Sequence, residues 1–431
     1  MIFSQIPEPI QMIMLALIGA VLGAAINWAI YRWTYVLKRK ISPWQSRDDQ
    51  AKPRKIFDYV PILGWLGIRR DAELHGKGFW IRPLLIELVW AIGLPWFYYW
   101  HAAGGLSSGG FVAPNVTEIW FLSHSVMFAL LTIATFIDFD ERMIPDGVTV
   151  TGFVFALLIA AVAPTSRLPV LSNGKAALMH FNTPDPITPW HQDWQGLALC
   201  LLLVTIWFWA LIPKWFNSKF PIMMRLKWGF LGILRPRRKT KCDLRTTPRK
   251  MFMLTKVLFV VWVGIVAGLL IVWNQCPAEN VTSLFSSVLG MAVGGGIIWA
   301  IRIIGKLVLG QEAMGFGDVT LMFMIGAFVG WQGSLLVMAL APFAGLFVAL
   351  GYFIATRENK LAFGPYLSFA AIMLILNWFS LWQWAEPRFF LLGGQLLLGF
   401  GAAMLALMAI LLYAVHWMKL RVIGEEELEG N

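Results

Sequence analysis

Residues 117–138 read TEIWFLSHSVMFALLTIATFID, a long apolar run that stops on a carboxylate, Asp138. Crossing about 30 Å of hydrocarbon takes roughly 20 residues of helix. Backbone groups in hydrocarbon must pair among themselves, and a helix does this within one segment. The same pattern recurs along the 431-residue chain. Apolar blocks fall at about 10–32, 83–100, 117–137, 147–163, 195–213, 252–273, 283–305, 319–332, 334–355, 362–383 and 390–416. Only Gln332 and Gly333 divide the eighth block from the ninth, so those two also read as one bent unit. Hydrophobic residues make up 58% and charged residues 14%, where soluble domains carry about 25% charge. The ten-residue alternation of an outer-membrane barrel is absent. The expected fold is an all-α polytopic membrane protein with about 11 transmembrane helices, within a range of 8–11.

Charge sets the expected orientation. Lys and Arg crowd segment 33–82, from Lys38 to Arg82, and segment 214–251, whose run Arg235–Lys241 faces a single acid, Asp243. Loops 101–116 and 274–282 contain neither Lys nor Arg, and loop 164–194 holds only Arg167 and Lys175. Basic loops stay cytoplasmic, which places the N-terminus outside and the C-terminus inside. The net charge of +11 is then a topology signal, and no nucleic-acid partner is expected. No cleavable signal peptide is expected at the start, because the first nine residues lack Lys and Arg and no small-residue cleavage site follows. Cys200, Cys242 and Cys276 stand apart with no CxxC, so no disulfide framework or zinc site is expected. Loop 164–194, rich in Pro, Asn, Ser and Thr, reads as solvent-facing. Its His180 and His191 lack a third ligand at sensible spacing and read as solvated.

Carboxylates at the ends of apolar spans need a reason, because ionisable groups near hydrocarbon are costly and mark function. Two sites qualify. One is Thr135-Phe-Ile-Asp138-Phe-Asp140-Glu-Arg-Met-Ile-Pro145-Asp146; the other is Met314-Gly315-Phe-Gly317-Asp318. The loop charges put both at the cytoplasmic membrane face. Two carboxyl groups sharing a site hold one proton between them, so one serves as base while the other polarises a carbonyl. Asp138 and Asp318 are the candidate catalytic pair. Gly315 and Gly317 would let a substrate strand approach closely. Asp140, Pro145 and Asp146 read as supporting residues, Asp146 as a possible helix start after Pro145. The competing reading is a transporter that uses Asp138 and Asp318 as proton or ion relays. Transporter carboxylates lie near the bilayer midplane, often in repeated halves, whereas these stand at span ends in a chain with no repeat.

These two segments resemble the paired aspartate motifs of prepilin peptidases, the type IV leader peptidases, which are GxGD-type intramembrane aspartic proteases. Further likenesses are Gly23–Arg32, Val60-Pro61-Ile-Leu-Gly-Trp-Leu66, Arg82-Pro83-Leu-Leu-Ile-Glu87 and Phe363-Gly364-Pro365-Tyr366-Leu367. The resemblance implies a multi-pass protein of the bacterial cytoplasmic membrane that cleaves leaders from type IV prepilin or pseudopilin precursors, each a short basic leader before an apolar helix. It implies catalytic roles for Asp138 and Asp318, and no cofactor for proteolysis. Members that also methylate the new N-terminus carry paired cysteines in the first cytoplasmic loop. Loop 33–82 has none, so zinc is not expected, and S-adenosylmethionine enters only if methylation is retained. The resemblance to presenilin-like proteases is weaker, since Ile137 precedes Asp138 and Ala341-Pro342-Phe343 is not PAL.

Four divisions follow. Residues 1–137 form the N-terminal membrane part with basic loop 33–82. Residues 138–163 hold the first motif and its following helix. Residues 164–282 form an insertion with an extra helical hairpin around basic loop 214–251, for which anionic lipid head groups are the expected partner. Residues 283–431 form the GxGD-bearing core.

Overall fold

The computed structural model describes residues 6–33, 50, 52–107, 112–172, 175–180, 183, 189–211, 248–309, 314–356 and 363–391, with single positions at 399, 403, 406 and 410. Ten helices carry the architecture: α1 Glu8–Trp33, α2 Ile81–Ala102, α3 Pro114–Glu141, α4 Asp146–Val162, α5 Trp194–Leu211, α6 Pro248–Gln275, α7 Ala278–Leu309, α8 Phe316–Thr356, α9 Gly364–Leu376 and α10 Trp378–Leu391. The only sheet among the described residues is the hairpin β1 Pro169–Ser172 and β2 Lys175–Leu178. Basic loop 214–251 lies almost wholly outside the described residues, and so does most of the expected span 390–416.

Seven described helices are long and apolar enough to cross a membrane, and the pair α9–α10, bent by 92°, makes an eighth if counted as one span. Among the described residues, several expected blocks differ in shape for physical reasons. The blocks at 319–332 and 334–355 are one bent element, α8, and its break lies at Gly330 rather than at Gln332-Gly333. There φ is 76° and ψ is 177°, a left-handed combination that glycine adopts without a Cβ penalty. The block at 362–383 is divided at Asn377, and α4 is a shorter apolar helix of 17 residues.

Burial separates a core from a lipid-facing rim. Of the apolar window in α8, 83% is buried, against 17% in α6. Helices α7 and α8 pack backbone to backbone. A Cβ added to Gly290 would lie 2.2 Å from the Gly326 carbonyl oxygen, and one on Gly326 would lie 2.1 Å from that of Gly290. Small residues allow this approach where lipid supplies no hydrophobic drive for helix association. At the rim, α5 and α6 pack side by side. Trp262 donates to Thr205 at 3.3 Å, and Trp262 lies 5.5 Å from the Phe208 ring.

The break in α8 frees carbonyls inside the bundle, which need donors. The Ala327 oxygen accepts from the Ser287 hydroxyl at 2.6 Å and from Arg167 Nη2 at 3.3 Å. Gln332 donates to the carbonyls of His180 and Thr183 at 2.8 and 3.0 Å. Described residues of loop 164–194 therefore pack against that end of the bundle, with Arg167, Leu168, Val170 and Met179 buried. His191, expected to be solvated, is buried and pairs with the Thr282 hydroxyl at 2.9 Å, while His180 is half-buried.

Candidate active site

At the other end of the bundle, α3 closes just past Asp138. Arg142 takes a left-handed conformation, φ 53°, and its N–H returns to the Asp138 carbonyl at 2.8 Å. Pro145 caps α4, its fixed φ preset for a helix start. Asp146 is then the first helical residue rather than the cap itself, in the turn where the helix dipole favours an acid. Asp318 stands in the first turn of α8. Phe363-Gly364-Pro365 opens α9 at the same end.

These elements interlock around Ile144. A Cβ on Gly317 would meet the Ile144 nitrogen and Cβ at 3.1 Å; a Cβ on Gly364 would meet Ile144 Cδ1 at 2.9 Å and Asp138 Oδ2 at 2.5 Å. Ile144 thus sits between the GxGD turn and the FGP turn, and glycine at 364 makes room for the first aspartate. Gly364 donates its N–H to Asp138 Oδ2 at 3.1 Å, and Gly315 donates to Asp318 Oδ2 at 3.1 Å. Both carboxylates are buried, at 5% and 8% exposure, and they lie within electrostatic reach of each other. The structure brings together Asp138, Gly315, Gly317 and Asp318, with Pro145 next in sequence to the Ile144 that touches Gly317.

Asp140 is clamped from α2. Arg82 donates to its two carboxylate oxygens at 2.8 and 3.1 Å, a bidentate fork. The same guanidinium lies 5.5 Å from the Phe136 ring centroid and bonds the Tyr31 hydroxyl. One Arg therefore ties α1, α2 and the end of α3 together. Close by, Glu87 collects the other stretches singled out in the sequence. It accepts from Asn27 at 3.0 Å, from Trp65 Nε1 at 2.7 Å and from the Ile62 N–H.

The sequence reading missed Ile144 and Arg302. Arg302 is buried on α7, its guanidinium 5.5 Å from the Phe316 ring and within electrostatic reach of Asp318. Its signal was a cation inside an apolar block, overlooked because only carboxylates were weighed. No group of three or more His, Cys, Asp or Glu that would hold a metal occurs among the described residues.

Fold and site together define a multi-pass, predominantly helical membrane protein with two buried aspartates gathered at one end of its bundle. Residues 254–350 match the profile of the type IV leader peptidase family. The chain is similar to the prepilin leader peptidase/N-methyltransferase of Aeromonas hydrophila, 32% identical over 110 residues, which is 25% of this chain and 38% of that protein. The protein of the same name in Pseudomonas putida is 32% identical over 124 residues, 28% of this chain and 40% of its relative. In Pseudomonas aeruginosa the values are 28% over 159 residues, 36% and 48%. The aligned stretches thus span less than half of these relatives. No solved structure matches. The matched segment contains Asp318 and starts within α6, so this part of the chain is similar to the type IV leader peptidase family.

Proposed function

We propose that this chain is an aspartic endopeptidase that removes the leader from prepilin-like or pseudopilin precursors at the cytoplasmic face of the bacterial inner membrane. The observation that carries the reading is the meeting of Asp138 and Asp318, 180 positions apart in the chain, at one end of the bundle beside a family-matched GxGD turn. One carboxylate takes a proton from water, and the resulting hydroxide attacks the scissile carbonyl. The protonated partner donates to that carbonyl oxygen as charge develops. Collapse of the tetrahedral species expels the amine, which leaves with a proton from the pair. The two groups titrate as one unit. The backbone N–H groups of Gly315 and Gly364 fix how each carboxylate faces the shared water.

The substrate enters by charge and apolarity. A basic leader stays cytoplasmic by the rule that orients the enzyme, N-terminus outside and C-terminus inside, and the apolar helix behind it sits in the bilayer. Basic loop 214–251 anchors to anionic lipid head groups. The proposal covers proteolysis alone. Methyl transfer, carried in the relatives' names, would need S-adenosylmethionine and has no designated residues here.

The test is cleavage of a synthetic precursor by the full chain in reconstituted membranes. Asp138→Asn and Asp318→Asn, each accumulating at the wild-type level in the membrane, are expected to lose at least ~10³-fold in rate. Near-normal cleavage by either protein would overturn the proposal.

A further inference from the structure

We propose that residues 52–80 form an interfacial unit that rests on an anionic lipid surface, with Phe57 and its apolar neighbours set among the acyl chains. The inside of this unit is complete. Trp65 and Ile68 are buried against Tyr31, Arg54 pairs with Asp71 at 2.6 Å, and Arg70 pairs with Asp58. The outside is apolar where a water-facing loop would be polar. Ile56 is 85% exposed, Phe57 73%, Leu63 55% and Leu66 48%. Large apolar patches of this kind mark a contact surface.

Depth and charge identify the partner. The short helix Leu63–Ile68 hangs on Glu87 of α2 through Trp65 and the Ile62 N–H. Glu87 lies six residues past the start of α2 at Ile81, about 9 Å along its axis at 1.5 Å per residue. Leu63 and Leu66 are thereby held level with a part of α2 that is itself apolar and exposed, at Leu85 and Val89. An amphipathic segment at that level lies in the head-group and acyl boundary. Lys52, Lys55, Arg69 and Lys77 are exposed, while Asp58 and Asp71 are spent on the internal pairs, leaving Glu73 as the exposed acid. A net basic rim fits anionic head groups and repels a basic leader peptide, which favours lipid over substrate as the occupant.

The experiment places an environment-sensitive nitrobenzoxadiazole probe at Phe57→Cys, and separately at Leu66→Cys, in the full chain with Cys200, Cys242 and Cys276 replaced. The protein is held in nanodiscs of phosphatidylcholine with phosphatidylglycerol, and Glu73→Cys serves as the aqueous reference. Doxyl-labelled lipid is expected to quench the probes at 57 and 66 at least threefold more than aqueous iodide does, with the order reversed at 73. Phosphatidylcholine alone is expected to weaken the lipid quenching. Iodide quenching at 57 and 66 equal to that at 73 would overturn the proposal. So would shielding from both quenchers, which would mean protein covers the patch. A change seen only after precursor is added would likewise overturn it, in favour of a substrate-docking surface. If Phe57→Cys fails to fold, Leu66→Cys decides alone.

Discussion

Asp138 and Asp318 are restrained by the same kind of contact over very different reach. Each accepts one backbone N–H on Oδ2 at 3.1 Å. The donor to Asp318 is Gly315, three residues upstream within its own motif; the donor to Asp138 is Gly364, 226 residues downstream on another helix. One half of the site is therefore a local turn that any chain segment of that sequence can form. The other half exists only once α9 has closed on α3. The difference separates what a motif encodes from what a fold must complete.

The sharpest way to break that comparison is a methyl group at each donor. Gly364→Ala puts a Cβ 2.5 Å from Asp138 Oδ2 and 2.9 Å from Ile144 Cδ1, so the carboxylate or the helix must shift. A displacement of about 1 Å costs on the order of 10²-fold in rate, and cleavage by Gly364→Ala is expected to fall by that much. Gly315→Ala keeps its N–H, and its Cβ falls 3.3 Å from Asp318 Oδ2; a loss of only a few-fold is expected. Steady-state cleavage with matched membrane levels measures both, and the reverse ranking would show that the local contact, not the distant one, is the fragile half.

A smaller effect is expected two residues along from Asp138. Arg82→Gln releases Asp140 and unties α1 and α2 from the end of α3, without touching the pair. Partly exposed ion pairs contribute about 0–1 kcal/mol, so a rate loss of no more than about fivefold is expected through misplacement of Asp138. Asp140→Asn should give a similar loss, and the double variant should be no worse than either, because both remove one interaction. Additive losses would show that Asp140 acts on its own.

An effect on local stability rather than on rate lies in the loop 52–80 and appears with pH. Burial alone would raise the Asp58 carboxyl, but the Arg70 guanidinium and the Lys55 N–H bond its charged form and hold it below the ordinary carboxylate range. A depressed acid stabilises the fold above its unfolded value, about 4, and that stabilisation is lost as pH falls through the folded value. Hydrogen-exchange protection of residues 54–71, corrected for intrinsic rate, should hold at neutral pH and drop in acid below about pH 4. Asp58→Asn should remove the pH dependence and about 1–3 kcal/mol of local protection at neutral pH.

Much of this was legible in the chain, for reasons that can be traced. Apolar block length marked α1, α2, α3, α5 and α6, because hydrocarbon thickness dictates it. Loop charge alone put Asp138 and Asp318 at one face, and the contacts through Ile144 gather them at one end of the bundle. The likeness at Asn27, at Val60–Leu66 and at Arg82–Glu87 marked three stretches whose common point, the Glu87 carboxylate, appears only in three dimensions. The contact of Gly364 with Asp138 was out of reach for the same reason. The break at Gly330 was read two residues late, because a glycine's identity does not reveal which glycine takes positive φ. Loop 164–194 reads as solvent-facing from its polar composition, yet its Arg167 is buried and donates to the Ala327 carbonyl beside this break, and the His180 and Thr183 carbonyls accept from Gln332.

The central claim is that Asp138 and Asp318 act as one unit, and a double-mutant cycle tests it most directly. Cleavage rates are measured for Asp138→Asn, Asp318→Asn and the double variant, in the same membranes with the same precursor. The account predicts that each single change removes activity to the same floor and that the double change goes no lower. Substantial residual activity in either single variant, with the two losses multiplying in the double, would contradict it.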